Sequence, residues 1–157
     1  MPKITPFLWF DRNAEEAVNF YTSIFKNSKV GTVTRYSDAG PGPKGSVMTM
    51  SFQIEGQDFV ALNGGPTYKL TPAISFVVNC ETQSEVDFYW EKLSAGGREV
   101  QCGWVTDMFG VSWQVVPTAI FRLFADKDPA KTKRVAEAMF KMIKLDIAEL
   151  ERAYAGK

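Results

Sequence analysis

The sequence predicts an α+β fold of two βαβββ repeats followed by C-terminal helices. Three observations predict it. Segments that alternate apolar and polar residues, residues 46–54 most cleanly, are separated by turns rich in glycine and proline. Two groups of such segments each open with a strand that runs directly into a stripe of helical period. The run Val18-Asn19-Phe20-Tyr21 recurs as Val86-Asp87-Phe88-Tyr89, an offset of 68 residues that also lays residues 5–10 onto residues 73–78.

In the first repeat, residues 4–10 read as a buried strand. Asn13 with Glu16 three residues on is placed to cap the helix carrying Ala17, Val18, Tyr21, Ile24 and Phe25. A strand over residues 30–36 meets a loop at residues 38–45, which holds three glycines and two prolines. The alternating strand 46–54 then reaches a turn at residues 55–58 and a strand at 59–63, and Gly64-Gly65-Pro66 closes the half. In the second repeat, residues 73–78 form the strand. Thr82 and Glu85 form a capping box ahead of Val86, Tyr89, Trp90 and Leu93, and Gly96-Gly97 ends that helix. A short strand pair over residues 99–106 and a strand over 111–116 stop at Pro117. The rest reads as helix, with a stripe of Val135, Met139, Met142, Ile143, Ile147, Leu150 and Tyr154. The expected organisation is one domain over residues 1–120, with halves 1–66 and 70–117, and a helical extension over 121–157.

Composition narrows the function classes. A chain of 157 residues with 45% hydrophobic and 23% charged residues can bury its own core. Lys+Arg and Asp+Glu are balanced at 18 each, and the basic residues form no block, which argues against a nucleic-acid partner. No apolar run approaches the ~20 residues that span a bilayer, so no membrane role is expected. The first residues enter a strand pattern at once, so no signal peptide is expected, and Cys80 and Cys102 are too few for a disulfide scaffold. A soluble cytoplasmic protein with reduced thiols is the expectation. The chain contains no histidine. That removes the usual general base and the commonest transition-metal ligand, and with them Ser-His-Asp triads, HExxH zinc sites and two-His-one-carboxylate iron sites. CxxC spacing is also missing.

Strand alternation sorts side chains into two sheet faces. The set expected under the helices is Ile4, Leu8, Phe10; Met48, Met50, Phe52, Ile54; Val60, Leu62; Ile74, Phe76, Val78; and Val111, Trp113, Val115. The other face then carries Thr5, Phe7, Trp9; Thr49, Ser51, Gln53; Phe59, Ala61, Asn63; Ala73, Ser75; and Ser112, Gln114, Val116. A smaller, more polar face that includes aromatics suits a small-molecule pocket, and it equally suits a solvated sheet.

The entry from residue 9 to residue 21, Trp-Phe-Asp-Arg-Asn-Ala-Glu-Glu-Ala-Val-Asn-Phe-Tyr, resembles the glyoxalase-like, or vicinal oxygen chelate, superfamily. Residues 61–66 (Ala-Leu-Asn-Gly-Gly-Pro) and 109–117 (Phe-Gly-Val-Ser-Trp-Gln-Val-Val-Pro) resemble its PhnB-like subgroup, also labelled 3-demethylubiquinone-9 3-methyltransferase domain proteins. The resemblance covers residues 1 to about 120 and implies a glyoxalase/bleomycin-resistance-like fold whose two repeats share one cup. It also implies a homodimer. Metal-dependent members place His or Glu at four strand positions, which fall here on Thr5 (Pro6 if the alignment shifts by one), Ala61, Ala73 and Gln114. Those side chains lack the charge and ligand number a divalent ion needs, so neither a metal nor another cofactor is expected. The methyltransferase label finds no support in a motif, because no Gly-rich loop joins a strand to a helix.

The candidate ligand-binding residues are therefore Thr5, Trp9, Thr49, Ser51, Ala61, Asn63, Ala73, Ser75, Cys102, Trp104 and Gln114. Gln114 could orient a carbonyl or a phosphate, or make a structural hydrogen bond. Asn63 is a site residue or a turn former, Cys102 a reactive thiol or an inert buried one, and Trp9 and Trp104 stack on a ligand or pack in the core. Arg35 and Tyr36 clamp an anion or end a solvated strand. The expected function is metal-free binding of a small polar or aromatic molecule. The alternatives are an enzyme acting by polar positioning through Gln114, Asn63 or Cys102, and a metal-dependent lyase or dioxygenase.

Overall fold

The structure, a computed structural model, describes residues 2–157. It contains two compact units, divided after Leu70. The first holds β1 (Phe7–Phe10), α1 (Ala14–Ile24), β2 (Ser28–Arg35), β3 (Val47–Ile54) and β4 (Gln57–Asn63). The second holds β5 (Phe76–Cys80), α2 (Gln83–Ser94), β6 (Arg98–Glu99), β7 (Trp104–Thr106) and β8 (Ser112–Pro117), followed by α3 (Ala119–Phe124), α4 (Pro129–Lys141) and α5 (Ile147–Ala155). The sheets share one topology, β1-β4-β3-β2 and β5-β8-β7-β6. In each, the first strand runs parallel to the last and the other pairs are antiparallel. The predicted α+β fold of two βαβββ repeats is what the chain forms.

Helix α1 forms because Ala14, Ala17, Val18, Tyr21 and Ile24 recur at helical spacing and all are buried. The Tyr21 ring stacks on Phe52 at 6.1 Å, and Phe52 stacks on Phe59 at 5.2 Å, which locks the helix onto β3 and β4. Asn13 precedes the helix but makes no side-chain cap. The cap comes from another strand: Asn63 Oδ1 accepts the Ala14 N–H at 2.9 Å. In α2 the expected cap forms, with Thr82 Oγ1 accepting the Glu85 N–H at 3.2 Å. The Glu85 carboxylate reaches back to the Glu81 N–H at 2.7 Å, one residue earlier than a capping box requires.

The β3–β4 connection corrects the predicted faces. Its loop is two residues long, Glu55-Gly56, with φ of 49° and 82°. Positive φ at both positions is the type I′ geometry that matches strand twist. Ile54 therefore pairs with Gln57, Phe52 with Phe59 and Met50 with Ala61. Facing residues share a side, so Phe59, Ala61 and Asn63 lie beneath α1, and Val60 and Leu62 lie on the other face. The sequence reading assumed a four-residue turn and placed them the other way round. Because side chains alternate with period two, the parity of the loop inverts a whole strand. Strand β5 also begins later than predicted, which leaves Ala73 exposed in a turn.

The C-terminal segment folds into three helices, and the predicted stripe is divided between α4 and α5. Asp128 caps α4 by accepting the Ala130 N–H, with Pro129 in the first turn, and Asp146 caps α5 by accepting the Glu149 N–H, both at 2.9 Å. Leu123, Val135 and Leu150 form their core, with Met139, Met142 and Tyr154 packed around it. Burial of each such leucine contributes about 1.5–3 kcal/mol. Arg134 closes α5 by donating to the Ala153 and Tyr154 carbonyls at 2.9 Å. The Gln83 side chain ties the segment before α5 to α2, donating to the Leu145 carbonyl at 3.1 Å and accepting the Ile147 N–H at 2.8 Å. Among the described residues, no helix is long and apolar enough to cross a membrane.

Candidate functional site

Each unit leaves one sheet face without a helix, and the two faces differ in chemistry. In the first unit the uncovered face carries Phe7, Trp9, Thr49, Ser51, Gln53, Val60 and Leu62. Its polar groups engage one another. The Thr34 and Thr49 hydroxyls meet at 2.6 Å, Ser51 Oγ accepts the Thr32 N–H at 2.7 Å, and Gln53 donates to the Asp58 carboxylate at 2.8 Å. The Trp9 indole N–H donates to the Gly65 carbonyl at 2.9 Å. Its ring meets Tyr68 edge-on at 5.0 Å and is pressed by Gly64, where any Cβ would collide with the indole. Trp9 is thus a packed residue that fastens the 64–68 turn.

Two predicted site residues of this unit lie on the helix side. Ala61 is fully buried under α1. Asn63 is a structural hub: besides capping α1, it donates from Nδ2 to the Val47 carbonyl at 3.1 Å, and its own carbonyl accepts the Tyr36 hydroxyl at 2.5 Å. Tyr36 is only 7% exposed, so it does not end a solvated strand, and Arg35 donates to the Gly45 carbonyl at 3.0 Å. Beside this hub lies a cavity of about 460 Å³, lined by Asp11, Arg12, Glu15, Tyr36, Asn63 and Gly64 among others. Thr5 precedes β1 and is half-buried.

In the second unit the uncovered face is set by the pairs Val77 with Gln114, Trp104 with Gln114, Thr106 with Ser112, and Arg98 with Thr106. Gln114 donates from Nε2 to Ser75 Oγ at 3.0 Å, and Trp104 stands across from it on β7. Strand pairing therefore brings three predicted residues together: Ser75, Trp104 and Gln114. It adds Arg98, Thr106 and Ser112, which the sequence reading did not select. Their signal was parity: once Trp104 and Gln114 share a face, so do residues two positions along each strand. Cys102 stands in the turn before β7 with φ of 59°, half-buried, and its N–H donates to the Met142 carbonyl at 2.9 Å. Cys80 is buried, and that burial, reinforced by the nearby Glu85 carboxylate, pushes its thiol pKa up to about 12. Asp107, also buried, accepts the Phe109 and Val111 N–H groups and the Trp113 indole at 2.8–3.0 Å.

The four positions at which the resemblance would place metal ligands do not fit a metal. Thr5 and Ala73 precede their strands, Ala61 points under α1, and the Gln114 amide is engaged by Ser75. Among the described residues, no three Cys, Asp or Glu side chains gather as a ligand group.

Comparison with known proteins places this geometry. The sequence model of the 3-demethylubiquinone-9 3-methyltransferase family matches residues 2–116, which leaves α3 to α5 outside it. No curated protein matches the sequence. Among solved structures, the PhnB protein of Bacillus cereus, described as a 3-demethylubiquinone-9 3-methyltransferase, is 38% identical, with a TM-score of 0.68 over 74% of this chain and 100% of that one. Protein PA1353 of Pseudomonas aeruginosa is 23% identical, with a TM-score of 0.62 over 74% of this chain and 98% of that one. The fosfomycin resistance protein FosX of Listeria monocytogenes is 19% identical, with a TM-score of 0.55 over 78% of this chain and 96% of that one. The last two share the fold alone. With the family model and the Bacillus cereus structure agreeing on the two-repeat region, the chain belongs to the PhnB-like 3-demethylubiquinone-9 3-methyltransferase family of glyoxalase-fold proteins.

Proposed function

We propose that this chain binds a small polar or aromatic molecule without a metal, on the uncovered sheet face of the second unit. One observation carries this reading. Ser75 orients the Gln114 amide next to Trp104, on a face whose remaining polar groups are not engaged with one another. That combination of an oriented amide and an aromatic body is the usual means of holding a small molecule. Metal-assisted chemistry is left out of the reading because the superfamily's ligand positions hold Thr, Ala, Ala and Gln. Methyl transfer is left out because neither strand-to-helix junction, residues 11–13 or 81–82, contains the glycines that let a nucleotide cofactor approach the backbone.

The reading includes a homodimer, supported by apolar side chains at the sheets that the single chain leaves exposed: Phe7 at 57%, Ile74 at 62% and Val77 at 47%. It also places the protein in the cytoplasm, where the free thiols of Cys80 and Cys102 stay reduced. The test is a thermal-shift screen of a metabolite library with and without divalent metals, alongside the mass in solution by light scattering. Stabilisation that needs no metal and is lost in Gln114→Ala supports the reading. Stabilisation by metal alone, or ligand binding indifferent to Gln114, overturns it.

A further inference from the structure

Several polar side chains of the second unit's uncovered face make no hydrogen bond among the described residues. The cross-strand row Ser112, Thr106, Arg98 runs from β8 through β7 to β6. The next row holds Gln114 and Trp104. Among the described residues, no hydrogen bond or ion pair engages the Arg98 guanidinium, the Thr106 hydroxyl or the Trp104 indole N–H. Ser112 is only 2% exposed, and its Oγ has no hydrogen-bond partner among the described residues. That hydroxyl is closed to solvent, so the groups of this row that a ligand can reach are those of Thr106 and Arg98. The first unit's corresponding face shows the ordinary solution, in which Thr49, Ser51 and Gln53 are all engaged by their neighbours.

The charges agree with the hydrogen-bonding groups. Arg98 is the one charged side chain that the four strands place on this face. The carboxylates adjoining Arg98 and Thr106 in sequence, Glu99 and Asp107, belong to the other face and are occupied there. Glu99 accepts the Trp90 indole at 2.8 Å, and Asp107 accepts two backbone amides and the Trp113 indole. Guanidinium and indole groups have no acceptor atoms, and hydroxyls donate readily to a negative oxygen. Neighbouring strands lie about 4.8 Å apart. The side chains of Thr106 and Arg98, on adjacent strands, can therefore converge on a group with two or three oxygens.

We infer that this face is an oxyanion seat: it takes a small molecule ending in a carboxylate or a phosphate group, whose flat or apolar body lies against Trp104. Arg98 and Thr106 bind its oxygens. This rests on the reading of the second unit's face as the ligand site, and it names the ligand's chemical class. A cation finds no negative partner here, and a neutral alcohol gains nothing from Arg98.

The test uses the full chain and four probes of similar shape: benzoate, phenyl phosphate, benzyl alcohol and benzylamine. Binding is followed by calorimetry and by the Trp104 indole N–H resonance, assigned through Trp104→Phe. The expected result is that benzoate, phenyl phosphate or both shift that resonance, with affinity falling as salt rises. Which of the two binds more tightly tells a carboxylate ligand from a phosphate one. Arg98→Gln should weaken the oxyanions by at least about tenfold, the loss of a charge-assisted hydrogen bond, and change benzyl alcohol by less than about twofold. Thr106→Val should weaken them several-fold with little change in melting temperature, since among the described residues its hydroxyl has no partner to lose. If benzyl alcohol or benzylamine binds as well as the oxyanions and Gln114→Ala weakens it, the ligand site stands and the oxyanion seat is overturned. Unchanged oxyanion affinity in Arg98→Gln overturns the seat as well. If no probe moves the Trp104 resonance, and no library compound gives Gln114-dependent stabilisation, the seat and the ligand site both fall.

Discussion

The Tyr36 hydroxyl donates to the Asn63 main-chain carbonyl at 2.5 Å, which fastens the β2–β3 loop to the end of β4. Gly40 and Gly42 lie against the same phenol ring, and a Cβ at Gly42 would overlap it. The loop is thus folded onto one aromatic ring, and its conformation depends on that ring staying in place.

Removing the hydroxyl in Tyr36→Phe should cost about 1 kcal/mol, the worth of one hydrogen bond. For a chain of this size that lowers the melting temperature by roughly 2–4 °C. Gly42→Ala should cost more, because ring and loop cannot both keep their positions. Limited proteolysis of the 38–45 loop, read with melting curves, separates the two. An unchanged cleavage rate in Gly42→Ala would contradict the packing described.

The two-residue turn between β3 and β4 supplies the second prediction. Glu55 holds φ of 49°, a region that costs a residue with a Cβ unless its side chain suits it. Asparagine suits it, and Asn-Gly is the preferred type I′ pair. Glu55→Asn should stabilise the protein by about 0.5–1 kcal/mol, visible as a small upward shift of the denaturant midpoint with no change of slope. A lower midpoint would mean that the Glu55 contact with the Asn27 N–H at 3.4 Å matters more than backbone strain.

That turn also shows where the sequence was legible and where it was not. Both repeats, the helix of each repeat and the two faces of β8 could be read from periodicity, since Val86, Trp90 and Leu93, or Trp113 and Val115, have no competing arrangement. The face of β4 could not. Val60 and Leu62 are as apolar as Phe59 and Ala61, so composition gave no preference, and only the turn's length fixed the choice. The same ambiguity carried Ala61 and Asn63 into the candidate site. Splitting the C-terminal stripe required weighing Asp128-Pro129 and Asp146 as helix starts against a continuous apolar period. Arg98 escaped notice because its strand is two residues long, too short for any alternation to show.

Asp107 should be the most sensitive single position of the second unit. It is 3% exposed and supports the β7–β8 turn and the Trp113 indole together. Asp107→Ala leaves three buried donors without an acceptor, at a cost on the order of 3 kcal/mol. Asp107→Asn keeps one acceptor oxygen and should cost less. Chemical denaturation of both variants checks the order, and equal losses would show that the charge, and not the acceptor count, sets the effect.

Acid should loosen the C-terminal helices ahead of the rest of the second unit. The Tyr154 hydroxyl at 2.5 Å and the Asp128 N–H hold the Asp126 carboxyl below its ordinary value. Hydrogen bonds from Lys144 and Gln83 do the same for Asp87. A carboxylate with a lower pKa in the folded state stabilises that state fully above the unfolded value of about 4. The contribution is lost as pH falls through the depressed folded value. Asp87 is exposed and Asp126 half-buried, and both contacts lie at the surface, so the effect is a change in local opening and not global unfolding. Hydrogen exchange at pH 7 and at pH 3, corrected for intrinsic rates, should show α4 and α5 losing protection relative to β5 and β8. Asp87→Asn combined with Asp126→Asn should lower that protection at pH 7 and flatten its dependence on pH. Parallel loss of protection in the helices and the sheet would show that these two contacts do not govern how the helices dock.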